Sequence, residues 1–496
     1  MNVLFLPLHD YETVYNFKHD QLFHAIKDAI VYGKLSSGYK LPSTRSLAAQ
    51  YSLSRGTICL VYEMLYAQGY VEARAGSGTY VSFHKQPQAN EELATSQPLP
   101  LSDWGKQLQQ TTQKQHNDNS KQYKHSFALN RVDIHSFPKQ EWNKLYYEQV
   151  RLQYEYETYD ANHADGHKEL KQSIAGHLRH YRGISTTSEQ IVIVNGSQMA
   201  LTLIAQLIVN KGDAVAMENP HFQGARNAIQ LAGGQIDYYP VDQNGILFDP
   251  DYNKDYKLII VTPSRQFPTG AVLSMERRLA LLKWASSKQA YIVEDDYDSE
   301  FQYIGRANEP LKSLDKHNRV IYIGTFSRTM MQSMRLGYIV LPPALLPWFK
   351  KAMEAYRKHP VSIIEQRALA SFMSSGLYER HLRRMKRIYR KKAELLYHFV
   401  QEKLSYWLEV KPLHAGLHLF AYWKGSQAQY EHFHELCEQE DIFIPELSKC
   451  YNREELPTNK QNNVDQPIAL AFGFSHFTHQ QLIHILTRIQ QLLLKV

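Results

Sequence analysis

Four short runs of aliphatic and β-branched residues constrain this chain most. They lie at 190–194, 258–261, 291–293 and 320–323, with helical patterns between them. Strands that alternate with helices in this way build an α/β domain around a mostly parallel sheet, here from about residue 126 onward. Each run gives way to a polar cluster. Gly196-Ser197-Gln198 opens a helix after the first, and Pro263-Ser264-Arg265-Gln266 follows the second. Glu294-Asp295-Asp296-Tyr297 follows the third, and Thr325 ends the fourth. Beyond the carboxyl ends of parallel strands such clusters mark a ligand crevice. A small-residue turn that opens a helix, as at Ser197, is also a ready anion site.

At 496 residues the chain has room for about two to four domains. Hydrophobic residues make up 43%, a globular value, and no apolar run approaches the roughly 18 residues of a membrane span. The short apolar run from Val3 to Leu8 has no basic segment before it and no cleavage site after it, so no signal peptide is expected. Three cysteines, Cys59, Cys437 and Cys450, are too few and too scattered for a disulfide framework or a zinc site. A cytoplasmic protein without membrane contact is expected. The net charge of +7 hints mildly at a nucleic-acid partner. Composition shifts at 84–125, which is polar and Gln-rich and carries Pro87, Pro98 and Pro100. It reads as a linker between domains at 1–83 and 126–496, with a short helix begun by Ser102-Asp103-Trp104. Its length lets one part reach across to a partner subunit.

The first domain reads as three helices and a hairpin. Leu22, Phe23, Ile26, Ala29 and Ile30 share one helical face that ends at Gly33. Ser43 caps a second helix with Leu47 and Ala48 inward, and Ser54 caps a third with Ile58, Val61 and Leu65 inward. Two strands follow, joined by Gly76-Ser77-Gly78. This is a winged helix-turn-helix. Arg55 and Thr57 stand where a recognition helix meets base edges and phosphates, and Arg45 is placed to hold phosphate. Gly76 and Gly78 let the wing approach a groove closely. The competing interpretation is a protein-binding winged helix with solvated arginines.

The run Leu41-Pro42-Ser43-Thr44-Arg45, then Ser54-Arg55-Gly56-Thr57, then Gly76-Ser77-Gly78-Thr79 resembles the GntR-type DNA-binding domain in order and spacing. Leu60 departs from it, since many relatives carry a base there. From about residue 126 to the C-terminus, including Gly416-Leu417-His418 and Phe472-Gly473-Phe474, the chain resembles the type I aminotransferase fold, which binds pyridoxal 5′-phosphate (PLP). The combination resembles the MocR (GabR-like) family of bacterial transcription regulators.

That resemblance implies a cofactor pocket. It assigns Asp295 to the pyridine nitrogen, Tyr297 to the ring oxygen, and Phe222 to the ring face. Ser197, Gln198, Thr325, Ser327 and Arg335 would cradle the phosphate. Three positions depart from the family. Arg328, in Gly324-Thr325-Phe326-Ser327-Arg328, stands in place of the Schiff-base lysine; Arg265 replaces a histidine; Ala471 stands where an arginine often grips a substrate carboxylate. A guanidinium stays protonated and is a poor nucleophile and base. The resemblance therefore implies a catalytically inactive sensor that holds PLP, a PLP-amino acid adduct or another small effector only non-covalently. It also implies a homodimer whose two heads bind a double-stranded DNA operator. A residual PLP-dependent aminotransferase and a ligand-free dimer scaffold are the alternatives.

Two features stand apart. Residues 380–392 hold eight bases in thirteen, read as a solvated helical face with Leu382, Met385 and Tyr389 inward; the rival reading is a second DNA contact. Cys59 on the third helix reads as a small packing residue rather than a redox switch.

Overall fold

A computed structural model describes residues 4–12, 14–82, 101–112, 123–156, 164–250, 254–305, 308–356, 362–452 and 468–496. The chain divides into two compact units, Met1–Leu101 and Ser102–Val496. Most of the expected linker, at 84–100 and 113–122, lies outside the described residues. The helix expected near Ser102 is present as Asp103–Thr112, within the second unit, where it packs against the helix Gln223–Leu231.

In the first unit, Leu22, Phe23, Ile26, Leu47, Ile58, Val61 and Leu65 form one core beneath the helices Lys18–Val31, Thr44–Tyr51 and Arg55–Ala67. Two serines start helices as expected. Ser43 Oγ accepts from the Ser46 amide at 3.2 Å and Ser54 Oγ from the Thr57 amide at 3.0 Å. A cap of this kind contributes about 1 kcal/mol. Val71–Arg74 and Gly78–Val81 pair antiparallel as the wing. Leu4 and Leu6, in the apolar run near the start, are buried in the same core, and Tyr51 Oη bonds the Leu4 carbonyl at 2.8 Å.

The second unit is built on an eight-stranded sheet. Its order is Ile191–Val194, Gly337–Val340, Val320–Thr325, Tyr291–Asp296, Tyr256–Val261, Ala214–Asn219, Gln235–Asp242 and Gly245–Ile246. The five strands from Val320–Thr325 to Gln235–Asp242 run parallel. Gly337–Val340 is antiparallel to both neighbours, so Ile191–Val194 points the same way as the parallel set. Alternate side chains go to opposite faces. Ile191 and Ile193 join one hydrophobic core while Val192 and Val194 join another. Both faces are therefore covered, which is why these strands read as uninterrupted apolar runs. A smaller antiparallel sheet, Leu408–Val410, His418–Trp423 and Ala469–Gly473, completes the unit.

The basic run lies on the helix Leu377–Phe399, with Leu382, Met385 and Tyr389 buried as expected. Lys392 departs from the solvated-face reading. It is buried, with Nζ 2.8 Å from Asp133 Oδ2 and 2.7 Å from the Ser475 carbonyl.

Candidate ligand pocket and DNA-contact surface

On the first unit, Arg45, Ser54 and Arg55 are exposed, and Thr57 is half-buried with its hydroxyl 2.8 Å from Ser54 Oγ. No acid among the described residues pairs with Arg45 or Arg55, so both guanidiniums are free for an outside anion. Gly76 and Gly78 sit exposed at the wing tip with φ of 70° and 121°. Two more cations border the wing, since Arg74 lies 4.5 Å and Lys40 5.7 Å from the Tyr80 ring centre. Leu60 is exposed on the third helix, and Cys59 is half-buried there.

On the second unit the carboxyl ends of the parallel strands open into a cavity of about 830 Å³. Ser197, Gln198, Phe222, Asp295, Tyr297, Thr325, Ser327, Arg328 and Arg335 all line it. The geometry explains how they gather. Gly196 (φ 80°) turns the chain out of the first strand into the helix Ser197–Ile208, whose first amides have no partner inside the helix. Arg335 adopts φ 51°, a left-handed conformation that costs a non-glycine residue about 1 kcal/mol or more. A Cβ on Gly196 would lie 3.6 Å from its Nη2, so the arginine and the helix start share one corner. Gln198 Nε2 donates to the Gly224 carbonyl at 3.0 Å.

The opposite wall is electrostatically unusual. Asp295 is buried, and its Oδ1 has no hydrogen-bond partner among the described residues. Burial, reinforced by Asp296 and opposed by Arg328, pushes its carboxyl up to about 7. Its neighbour Asp296 faces the other way, accepting from Arg182 and from Tyr322 Oη, each at 2.6 Å. Arg328 is half-buried; it donates to the Leu129 carbonyl, and its guanidinium lies 6.0 Å from the Tyr297 ring centre. Tyr297 Oη accepts from Arg265 Nη1 at 3.1 Å, which leaves its own proton free to donate. Burial raises the Tyr297 hydroxyl, keeping it protonated. Phe222 and Phe267 meet edge to face at 5.9 Å as the apolar side of the cavity.

The first unit matches the family model of bacterial regulatory proteins of the gntR family over residues 18–81. The second matches that of aminotransferase class I and II over residues 159–456. One relative, the "Probable rhizopine catabolism regulatory protein MocR" of Rhizobium meliloti, is 35% identical over 433 residues, 85% of this chain and 87% of that one. This chain belongs to the MocR-type GntR regulators. It is a bacterial DNA-binding transcription regulator with an aminotransferase-like sensory domain. A second relative of this MocR-type regulator is the pyridoxine biosynthesis transcriptional regulator PdxR of Corynebacterium glutamicum, 29% identical over 80% of this chain and 82% of that one. Kynurenine aminotransferase of Pyrococcus horikoshii shares the fold of the second unit, with a TM-score of 0.65 at 20% identity over 80% of this chain and 95% of that one. No helix among the described residues is long and apolar enough to cross a membrane.

Of the three positions that depart from the family pattern, the MocR-type regulator brings only Arg328 to the cavity wall. Arg265 is buried behind Tyr297, held by Asp298 at 3.2 Å and the His418 carbonyl at 2.8 Å. A Cβ on Gly416 (φ 82°) would come within 2.3 Å of its Nε, so a glycine is needed to seat it. Ala471 packs with Phe420, Leu447 and Cys450 in a small apolar cluster and does not line the cavity. The reading of three changes around one pocket is thereby corrected to one change in the wall and one in its support. Asn130, Thr262 and Gln332 also line the cavity and were not expected. Thr262 directly follows a legible strand, which was its signal; isolated polar residues such as Asn130 and Gln332 carried none.

Proposed function

We propose that this MocR-type regulator senses PLP, or an adduct of PLP with an amino acid, held without a covalent bond in this cavity, and that it does not transaminate. The observation that carries the reading is Arg328 in the cavity wall beside the unpartnered Asp295 Oδ1. The residues present fit a phosphorylated pyridine. Arg335 and the amides at Ser197 and Gln198 would hold the phosphate, Asp295 a protonated ring nitrogen, Tyr297 the ring oxygen, and Phe222 the ring face. Thr325 and Ser327 would complete the phosphate cradle. Bound there, the cofactor supplies an aldehyde that an amine can attack; Arg328, kept protonated, has no lone pair to offer.

Two subunits would form a homodimer, and their heads would contact paired operator half-sites through Arg45, Ser54, Arg55, Thr57, Gly76 and Gly78. Ligand binding would shift which arrangement of heads is populated. The name of the Corynebacterium relative ties that protein to pyridoxine biosynthesis, which favours a vitamin B6 compound as the effector here.

Native mass spectrometry of the full chain with and without PLP, before and after borohydride, tests the reading. The expected result is a PLP-sized adduct that denaturation removes and borohydride does not fix. An adduct fixed by borohydride would mean that an amine of the chain reaches the cofactor. Absence of any adduct would mean a scaffold without this ligand.

A further inference from the structure

The cavity holds two guanidiniums, Arg328 and Arg335, and neither makes an ion pair within 4 Å among the described residues. Arg335 is exposed at the edge beside the helix start, so solvent serves it. Arg328 is half-buried, and its hydrogen bond to Leu129 is to a neutral carbonyl. Asp298, the carboxylate that acts most strongly on Arg328, is already engaged by Arg265 at 3.2 Å. Asp295 offers a buried Oδ1 with no partner and so calls for a hydrogen-bond donor. The cavity thus presents two separated positive positions and one acceptor. A half-buried guanidinium that faces a cavity without a carboxylate partner is best matched by a ligand group that accepts its hydrogen bonds.

We propose that Arg328 selects the ligand by charge: the cavity takes a phosphorylated ring whose 4-substituent, the one facing Arg328, is an oxygen group, neutral or anionic, and rejects the same ring bearing an ammonium there. This rests on the reading that the cavity binds a vitamin B6 phosphate. Arg335 and the helix start take the phosphate, and Arg328 faces the substituent on the ring. A guanidinium donates two hydrogen bonds to an aldehyde or carboxylate oxygen and repels an ammonium, which has no acceptor to offer it. Arginine at this position is therefore a filter that distinguishes aldehyde and carboxylate forms from the amine form.

Calorimetric titration of the full chain with PLP, pyridoxamine 5′-phosphate, 4-pyridoxic acid 5′-phosphate and inorganic phosphate tests this. The aldehyde and the carboxylate should bind, with the amine weaker by about a hundredfold, the gap expected when a charge-assisted hydrogen bond is exchanged for repulsion. In Arg328→Gln the gap should fall to within a few fold. Arg328→Lys, which keeps the charge, should still prefer the carboxylate over the amine and should in addition trap PLP with borohydride. Equal binding of amine and aldehyde by the natural protein, or an undiminished gap in Arg328→Gln, overturns the filter while leaving the pocket reading intact. If none of the three ring compounds binds more tightly than inorganic phosphate, the vitamin B6 reading fails, and the filter with it.

Discussion

Asp295→Asn isolates the electrostatic cost of the cavity's unpartnered carboxyl. The carboxyl is 6% exposed, its Oδ1 has no partner, and burial lifts it from 3.8 to about 7. A raised carboxyl means that the fold prefers the protonated form. The cost of ionising it is absent below about pH 4, grows between about pH 4 and 7, and is constant above that. Three pH units correspond to about 4 kcal/mol. Asparagine keeps the shape and removes the charge, so the ligand-free variant should be more stable at pH 8 by up to about 4 kcal/mol. For a unit of this size that is an increase on the order of 5 °C in the melting temperature. At pH 5 the gain should fall by more than half. Differential scanning calorimetry at the two pH values, with and without PLP, reads both. The variant should also lose most of the stabilisation that PLP gives the natural protein, because the partner of the ring nitrogen is gone. An unchanged or lower melting temperature at pH 8 would mean that the carboxylate is satisfied in solution, and the argument from its missing partner would be wrong.

The DNA surface and the basic helix give two further tests. Arg55→Ala should weaken operator binding at least tenfold in a gel-shift titration, while the head melts as before, since Arg55 is exposed and pairs with no acid among the described residues; unchanged affinity would remove Arg55 from the contact set. Lys392→Met should destabilise the second unit by about 3 kcal/mol and leave operator affinity unchanged, because it strands the buried Asp133 with only its bonds to His135 and Ser136. Loss of DNA affinity without loss of stability would instead return Lys392 to the DNA-contact reading.

How far the sequence could be read followed from the physics of each element. Strands covered on both faces, such as 191–194 and 320–323, announce themselves as apolar runs. Gln235–Asp242 is exposed at its first residue and half-buried from there on, and has no such signature. Gly337–Val340 is four residues long, and that it inserts antiparallel between two co-directional strands is a tertiary outcome with no local cause. Ser197, Asp295, Tyr297 and Thr325 were legible as polar groups because they lie at or beyond the ends of legible strands, whereas Phe222 and Arg335 were placed only by the family resemblance. Orientation was less accessible. Period two puts Asp295 and Asp296 on opposite faces, but only the partners Arg182 and Tyr322 decide which one is left to the cavity. Arg265 sits in an equally polar run, yet the space opened at Gly416 draws it away from the ligand side. The apolar run at Leu4 and Leu6 was read only for what it was not, because its core partner Tyr51 lies more than forty residues on.

Arginine in the wall changes what the body can report to the heads. If the ligand is held without a covalent link, as proposed, occupancy follows the free ligand concentration, and the stabilisation of the bound state is limited to RT ln(1 + [L]/Kd), about 2.7 kcal/mol at a hundredfold excess over Kd. That is within the range of a typical coupling between two sites, about 1–3 kcal/mol, so a ligand that binds only one of the two states could move operator affinity by up to about 100-fold at that excess. Coupling is reciprocal. Whatever factor the ligand imposes on operator affinity, the operator must impose on ligand affinity. Calorimetry of PLP binding with the operator present and absent should therefore give Kd values that differ by the same factor as the operator Kd values measured with and without PLP. A cavity that binds PLP equally well in both states would be occupied without signalling, because a ligand with no preference between two states shifts neither.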